Sequence, residues 1–197
     1  EFSPTNGNAQ WAKGFGGTTT GSTVSVVRCA DDGAGGVLLE GSYGGQINLG
    51  SGPSTSNGSD DAFIASLKNQ SGAPAWQKFF GGTGLEVPQG ITIDDCARPV
   101  AAVRVSDALT LDGVVLPAPQ ANSYAAVTMK LDTSGKVLWA NGPTPPSTAF
   151  LSIADVAVNP NNGRTIVTGF FGGTVDLGGG NTATNNASGP FFIAYTP

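Results

Sequence analysis

Apolar positions in this chain come in short bursts separated by small polar residues. In the first third they are Gln10–Phe15, Thr23–Cys29, Val37–Tyr43 and Ala62–Leu67, each rich in β-branched and aromatic residues. Between them stand Asp31-Asp32-Gly33 and Ser71-Gly72, and further on Pro160-Asn161-Asn162-Gly163. Such side chains bond their own backbone, and glycine tolerates positive φ, so these segments predict turns. No stretch carries an apolar stripe at helical spacing with caps. An all-β chain of short strands is therefore predicted.

The bursts recur. Trp11-Ala-Lys-Gly-Phe15-Gly-Gly17 returns 65 residues later as Trp76-Gln-Lys-Phe-Phe80-Gly-Gly82, and a third, worn copy starts at Trp139. Gly41-Ser-Tyr-Gly-Gly-Gln-Ile-Asn-Leu-Gly50 matches Gly169-Phe-Phe-Gly-Gly-Thr-Val-Asp-Leu-Gly178, and the middle copy has drifted to Val105–Gly113. Asp61–Leu67 answers to Tyr124–Leu131 and to Pro190–Tyr195. Repetition at fixed spacing marks an array fold. Four strands per repeat predict a β-propeller-like array of three four-stranded blades, a partial or half propeller. Residues 1–9 read as a linker or expression remnant, and 10–197 as one repeat domain with repeats at about 10–75, 76–138 and 139–197.

These motifs, W-x-K-x-F-G-G, then G-x-[FY]-x-G-x-[IV]-[ND]-L-G, then D-A-F-I-A-x-L, resemble the bacterial β-propeller repeats of secreted and lipid-anchored surface proteins, myxobacterial ones among them. The resemblance covers nearly the whole chain. It implies a propeller fold, export to the cell surface or beyond, and scaffold roles for the repeat residues. It implies no particular activity.

Charge narrows the partners. Only 12% of residues are charged, with fourteen acids against nine scattered bases, so nothing neutralises a phosphate backbone and nucleic acid is not expected. No run of 18 apolar residues predicts a membrane span. The chain has no histidine, which removes His-containing zinc sites and the Ser-His and Cys-His dyads. Asp31, Asp94 and Asn159 occupy one repeat position, an interchange suited to turn capping. Asp31-Asp32, Asp60-Asp61 and Asp94-Asp95 place oxygens side by side, but no spaced calcium-loop series is present. No catalytic residue, metal or cofactor is therefore expected. With export, a Cys29–Cys96 disulfide is expected, two buried free thiols being the alternative.

The middle repeat breaks rank at Arg104 and Asp107, which stand where the first copy has Gly41 and Gly44, and at Glu86 in the connection after Gly81-Gly82. These three are the candidate ligand-binding residues, with free drift of loop residues as the competing account. Trp11, Trp76 and Trp139 are expected to pack between neighbouring blades rather than to serve as sugar platforms. The expected function is an exported, non-enzymatic binding or adhesion module for a glycan or surface protein. Its alternatives are a building block of a surface assembly or filament, and a carbohydrate-active lyase or hydrolase using loop carboxylates. The strand around Phe192 is expected to pair with the Trp11 strand of a second copy, giving self-association through terminal strands.

Overall fold

The computed structural model describes residues 6, 8–9, 11–118, 120 and 123–196; among them are sixteen strands and no helix. The first seven are β1 (Gly16–Gly17), β2 (Thr23–Asp31), β3 (Val37–Gly44), β4 (Gln46–Asn48), β5 (Pro53–Thr55), β6 (Asp61–Leu67) and β7 (Pro74–Phe80). The middle of the chain supplies β8 (Glu86–Ile93), β9 (Pro99–Val105), β10 (Thr110–Leu111), β11 (Val114–Val115), β12 (Ala125–Leu131) and β13 (Val137–Asn141). Three long strands finish it: β14 (Phe150–Val158), β15 (Thr165–Asp176) and β16 (Thr182–Tyr195).

They form three antiparallel meanders, β2-β3-β6-β7, β8-β9-β12-β13 and β14-β15-β16, with small side sheets β1-β4-β5 and β10-β11. Each tryptophan strand closes the sheet of the preceding repeat, Trp76 opposite Ser66 and Trp139 opposite Lys130. The expected strand at 10–15 does not form: residues 11–15 lie outside any strand, and Gln10 lies outside the described residues. Trp76 and Trp139 extend because β6 and β12 offer a free edge just before them. The described residues hold no such strand ahead of Trp11.

The first strand of every meander carries a bulge at one place, between Val26 and Arg28, Pro88 and Gly90, and Ile153 and Asp155. This register makes Gly41, Val103 and Gly169 structural equivalents, so Val103 and not Arg104 replaces Gly41. A Cβ on Gly41 would sit 2.5 Å from the Phe63 ring, and one on Gly169 2.7 Å from Phe191. In the middle sheet the residue opposite Val103 is Val127. The glycine is lost where the facing phenylalanine is lost, and the volume is conserved.

Successive sheets stack face to face. Leu38 and Ile64 meet Ile91, Ala101 and Met129 between the first two sheets, while Val100 and Ala102 meet Leu151, Val167 and Phe191 between the next two. The middle sheet is buried on both faces, which is why β9 and β12 read as nearly unbroken apolar runs instead of alternating. Equivalent positions face the following sheet each time: Leu38, then Val100, then Ile166, which is 39% exposed. With Ile166, the outer face of the third sheet exposes Phe150, Phe170 and Phe192.

Candidate functional site

The connection from the first sheet to the second is held by carboxylates. Asp61 opens β6 and accepts the Asn57 N–H at 3.0 Å, and Glu86 opens β8 and accepts the Gly82 N–H at 3.1 Å. Each thus folds its own loop back by four residues. Asp107, just past β9, accepts the Gly84 N–H at 2.7 Å and the Thr83 hydroxyl at 3.2 Å. The two strands are tied together where the Glu86 N–H donates to the Asp60 carbonyl.

Asp61 and Glu86 face each other across Gly81. Asp61 Oδ1 lies 2.5 Å, and Glu86 Oε2 2.6 Å, from the point a Gly81 Cβ would occupy, so these oxygens are within about 5 Å of one another, close enough for each charge to shift the other's pKa. Both residues are buried, and Asp61 Oδ1 and Glu86 Oε1 have no hydrogen-bond partner among the described residues. Burial raises the Asp61 carboxyl, the Asn57 and Gly58 N–H groups oppose it, and Asp60 adds to the rise. Glu86 is raised first by burial and then by the charges of Asp61 and Asp107, against the Gly82 N–H.

Asp61 also lines a cavity of about 250 Å³ between the first sheet and the two hairpins β4–β5 and β10–β11. Its walls are the rings of Tyr43, Phe79 and Phe80, and its polar groups come from Ser54, Thr55, Asn57 and Thr110. The Tyr43 hydroxyl and Ser54 Oγ are 3.2 Å apart, and the Tyr43 and Phe79 rings meet edge to face at 5.4 Å. The hairpins come from the G-x-I-N-L-G motif of the first repeat and its drifted copy around Leu109–Gly113. The divergence between the copies therefore shapes the cavity.

Of the three sequence candidates, Glu86 and Asp107 come together at this connection and Arg104 does not. Arg104 lies on the opposite face of the second sheet from Glu86, its guanidinium 4.3 Å from the centre of the Tyr124 ring. In the sequence Asp61 stands only as half of the Asp60-Asp61 oxygen pair inside a repeat motif, with nothing to join it to Glu86 or Asp107. Its one distinguishing signal is that its structural equivalents, Ala125 and Gly189, carry no acid.

The remaining candidates serve turns and packing. Asp94 accepts the Cys96 and Arg98 N–H groups and pairs with Arg98 and Lys130, both at 2.8 Å. Burial opposes ionisation, but these bonds, Lys130 foremost, hold its pKa down at about 2. Asp94, Asp95 and Cys96 bring three ligand-type atoms within 4.8 Å, yet the Asp94 oxygens are already engaged. Asp32, not Asp31, is its equivalent, capping residues 34 and 36 in the same way. Cys29 and Cys96 are exposed free thiols and not a disulfide: the turn of Cys96 meets Gly33, beyond the end of the strand that carries Cys29. Trp76 packs on Gly135 and Trp11 on Gly72, with 2.5 and 2.8 Å from ring atom to the position of a Cβ, and Trp139 tilts against Tyr195. No helix among the described residues is long and apolar enough to cross a membrane.

The chain matches no protein-family model and no curated protein sequence.

Proposed function

We propose that this chain is an exported β-propeller repeat array of the bacterial surface-protein type, that it works by binding rather than catalysis, and that it binds a carbohydrate in the cavity around Asp61. The observation that carries this reading is the cavity's mixture of three aromatic rings with one carboxylate, one amide and several hydroxyls. Flat apolar rings complement a sugar's C–H face, and a few placed polar groups fix its hydroxyls. A volume of about 250 Å³ falls just below the range of about 300–1,000 Å³ usual for drug-sized ligands, and suits one sugar ring. The propeller assignment is supported by the bulge that recurs in each first strand and by the repeated face-to-face stacking.

The enzyme alternative draws on the same acids. Retaining glycosidases hold two carboxyl groups about 5–5.5 Å apart on either side of the scissile bond. Glu86, however, is fully buried, accepts the Gly82 N–H and does not line the cavity. Among the described residues Asp61 is the one carboxylate that lines the cavity. A glycan array run alongside a reducing-sugar assay tests the choice: glycan capture with no new reducing ends is expected. Release of reducing ends that disappears in Glu86→Gln would overturn it.

A second reading, a building block that adds strands between copies, is favoured by β16, which pairs with no strand but β15 among the described residues. Ser66 and Lys130, which face Trp76 and Trp139, have Ala194 as their equivalent in the third sheet. A Trp11 segment arriving from another copy would therefore place Trp11 opposite Ala194 and Ala12 opposite Ile193. Trp11 already rests on Gly72 as Trp76 rests on Gly135. In a Cys29→Ser/Cys96→Ser background, a chain carrying Ala12→Cys should form an oxidised heterodimer with one carrying Ile193→Cys, and not with Thr184→Cys, which is out of register. Monomers by light scattering and no crosslink would remove this reading.

A further inference from the structure

The acids at this connection are not matched by bases among the described residues. Asp60, Asp61, Glu86 and Asp107 converge on one connection, and every charge acting appreciably on Asp61 and Glu86 is another carboxylate. Lys78, one residue from the cavity-lining Phe79, is already held by Asp112 at 2.7 Å. Asp61 is 1% exposed and Glu86 fully buried, and each keeps one oxygen without a hydrogen-bond partner among the described residues. Between them lies Gly81, which also lines the cavity and whose lack of a side chain lets the two carboxylates close in, since a Cβ there would overlap both.

The scaffold does not call for this pair. At the junction between the second and third sheets the equivalent positions are Ala125 and Leu151, both buried and apolar. A buried carboxylate with an unused oxygen costs stability unless something supplies a donor or a positive charge. Aromatic ring faces attract cations by their quadrupole, and three rings line the same cavity as Asp61.

We infer that the cavity selects a positively charged amino sugar, its primary ammonium held in the cavity against Asp61 with Glu86 behind, and its hydroxyls met by Ser54, Thr55, Asn57 and Thr110. This rests on the carbohydrate reading above and narrows it. A bare metal ion would leave the rings and hydroxyls without work, and a lysine side chain would leave the hydroxyls without partners.

Calorimetric titration of the full chain with three tetramers tests it: β-1,4-glucosamine, its N-acetylated form and β-1,4-glucose. The glucosamine tetramer is expected to bind at least about tenfold more tightly than either neutral one, as a charge-assisted, ring-flanked ammonium should. That advantage should vanish in Asp61→Asn, which keeps an oxygen for the Asn57 N–H, and shrink in Glu86→Gln, which leaves the cavity wall intact. Thermal melts of both variants check the fold. Equal binding of all three sugars, unchanged in both variants, would overturn the ammonium assignment and leave carbohydrate binding standing. Binding of none would overturn both. Stoichiometric calcium binding that is lost in Asp61→Asn, without glucosamine binding, would replace the inference with an ion site.

Discussion

Phe63→Ala is expected to lower the unfolding free energy by about 3–5 kcal/mol, the range for deleting a fully buried aromatic side chain. Phe63 is wholly buried, lies 6.4 Å from both the Tyr43 and Phe79 rings, and fills the space that Gly41 leaves. The half-buried Trp76 should cost less on truncation. Gly41→Val should also be severe, because its Cβ would come 2.2 Å from the Ser25 carbonyl oxygen as well as into the Phe63 ring. The middle sheet solves the same packing problem with Val103 and Val127. The double variant Gly41→Val/Phe63→Val should therefore lose clearly less than the sum of its single changes, a coupling measurable by urea denaturation of all four proteins. Strict additivity would mean that the two sheets are not built on one template.

Glu40→Leu should stabilise the protein at pH 8 by about 1–3 kcal/mol, the usual cost of a buried polar group left without partners. Glu40 is fully buried on β3 between the first two sheets, with no hydrogen bond to either carboxyl oxygen among the described residues. Its equivalents are Ala102 and Thr168. Burial raises its pKa well above the ordinary 4.5, and the nearby Gly90 N–H and the exposed Arg28 only partly oppose this. The folded protein thus keeps a proton that the unfolded chain releases near pH 4.5, and stability falls as the pH climbs from there through the folded pKa. Asp61 and Glu86 add slopes of the same sign. Asp94 acts oppositely: its stabilisation is present above 3.8 and is lost as the pH falls through about 2. The wild type should be most stable at mildly acidic pH, and the gain from Glu40→Leu should grow between pH 5 and pH 8. A gain independent of pH would show that Glu40 ionises as freely in the folded state as in the unfolded one.

The strands, their turns and their threefold recurrence were legible in the sequence because each rests on local chemistry: β-branched bursts, Asx turns and glycines at positive φ. The exact correspondence between copies was not. The match of Gly41 to Arg104 and of Asp31 to Asp94 was displaced by one residue, since turns of unequal length slip a sequence alignment while the bulges keep the strand register. No strand forms at Trp11 because extension there depends on a partner edge, a tertiary condition that no local pattern encodes. At the site, Glu86 and Asp107 stood out as charges in connections. Their meeting with Asp61, and the loss of Arg104 to the other face, followed only from the pairing of β8 with β9 and the stacking of the sheets. Tyr43, Ser54, Asn57 and Thr110 are ordinary residues singly, and become a cavity only through the two hairpins that enclose them.

The proposed carbohydrate binding is tested most directly by an NMR titration of the isotope-labelled chain with the best ligand from the glycan array, followed through assigned backbone amides. Saturable shifts clustered at Tyr43, Ser54 to Asn57, Asp61, Phe79 to Gly81 and Thr110 are the predicted result. Shifts confined to the β16 edge around Phe192 to Tyr195, or no saturable shifts with any glycan, would contradict it.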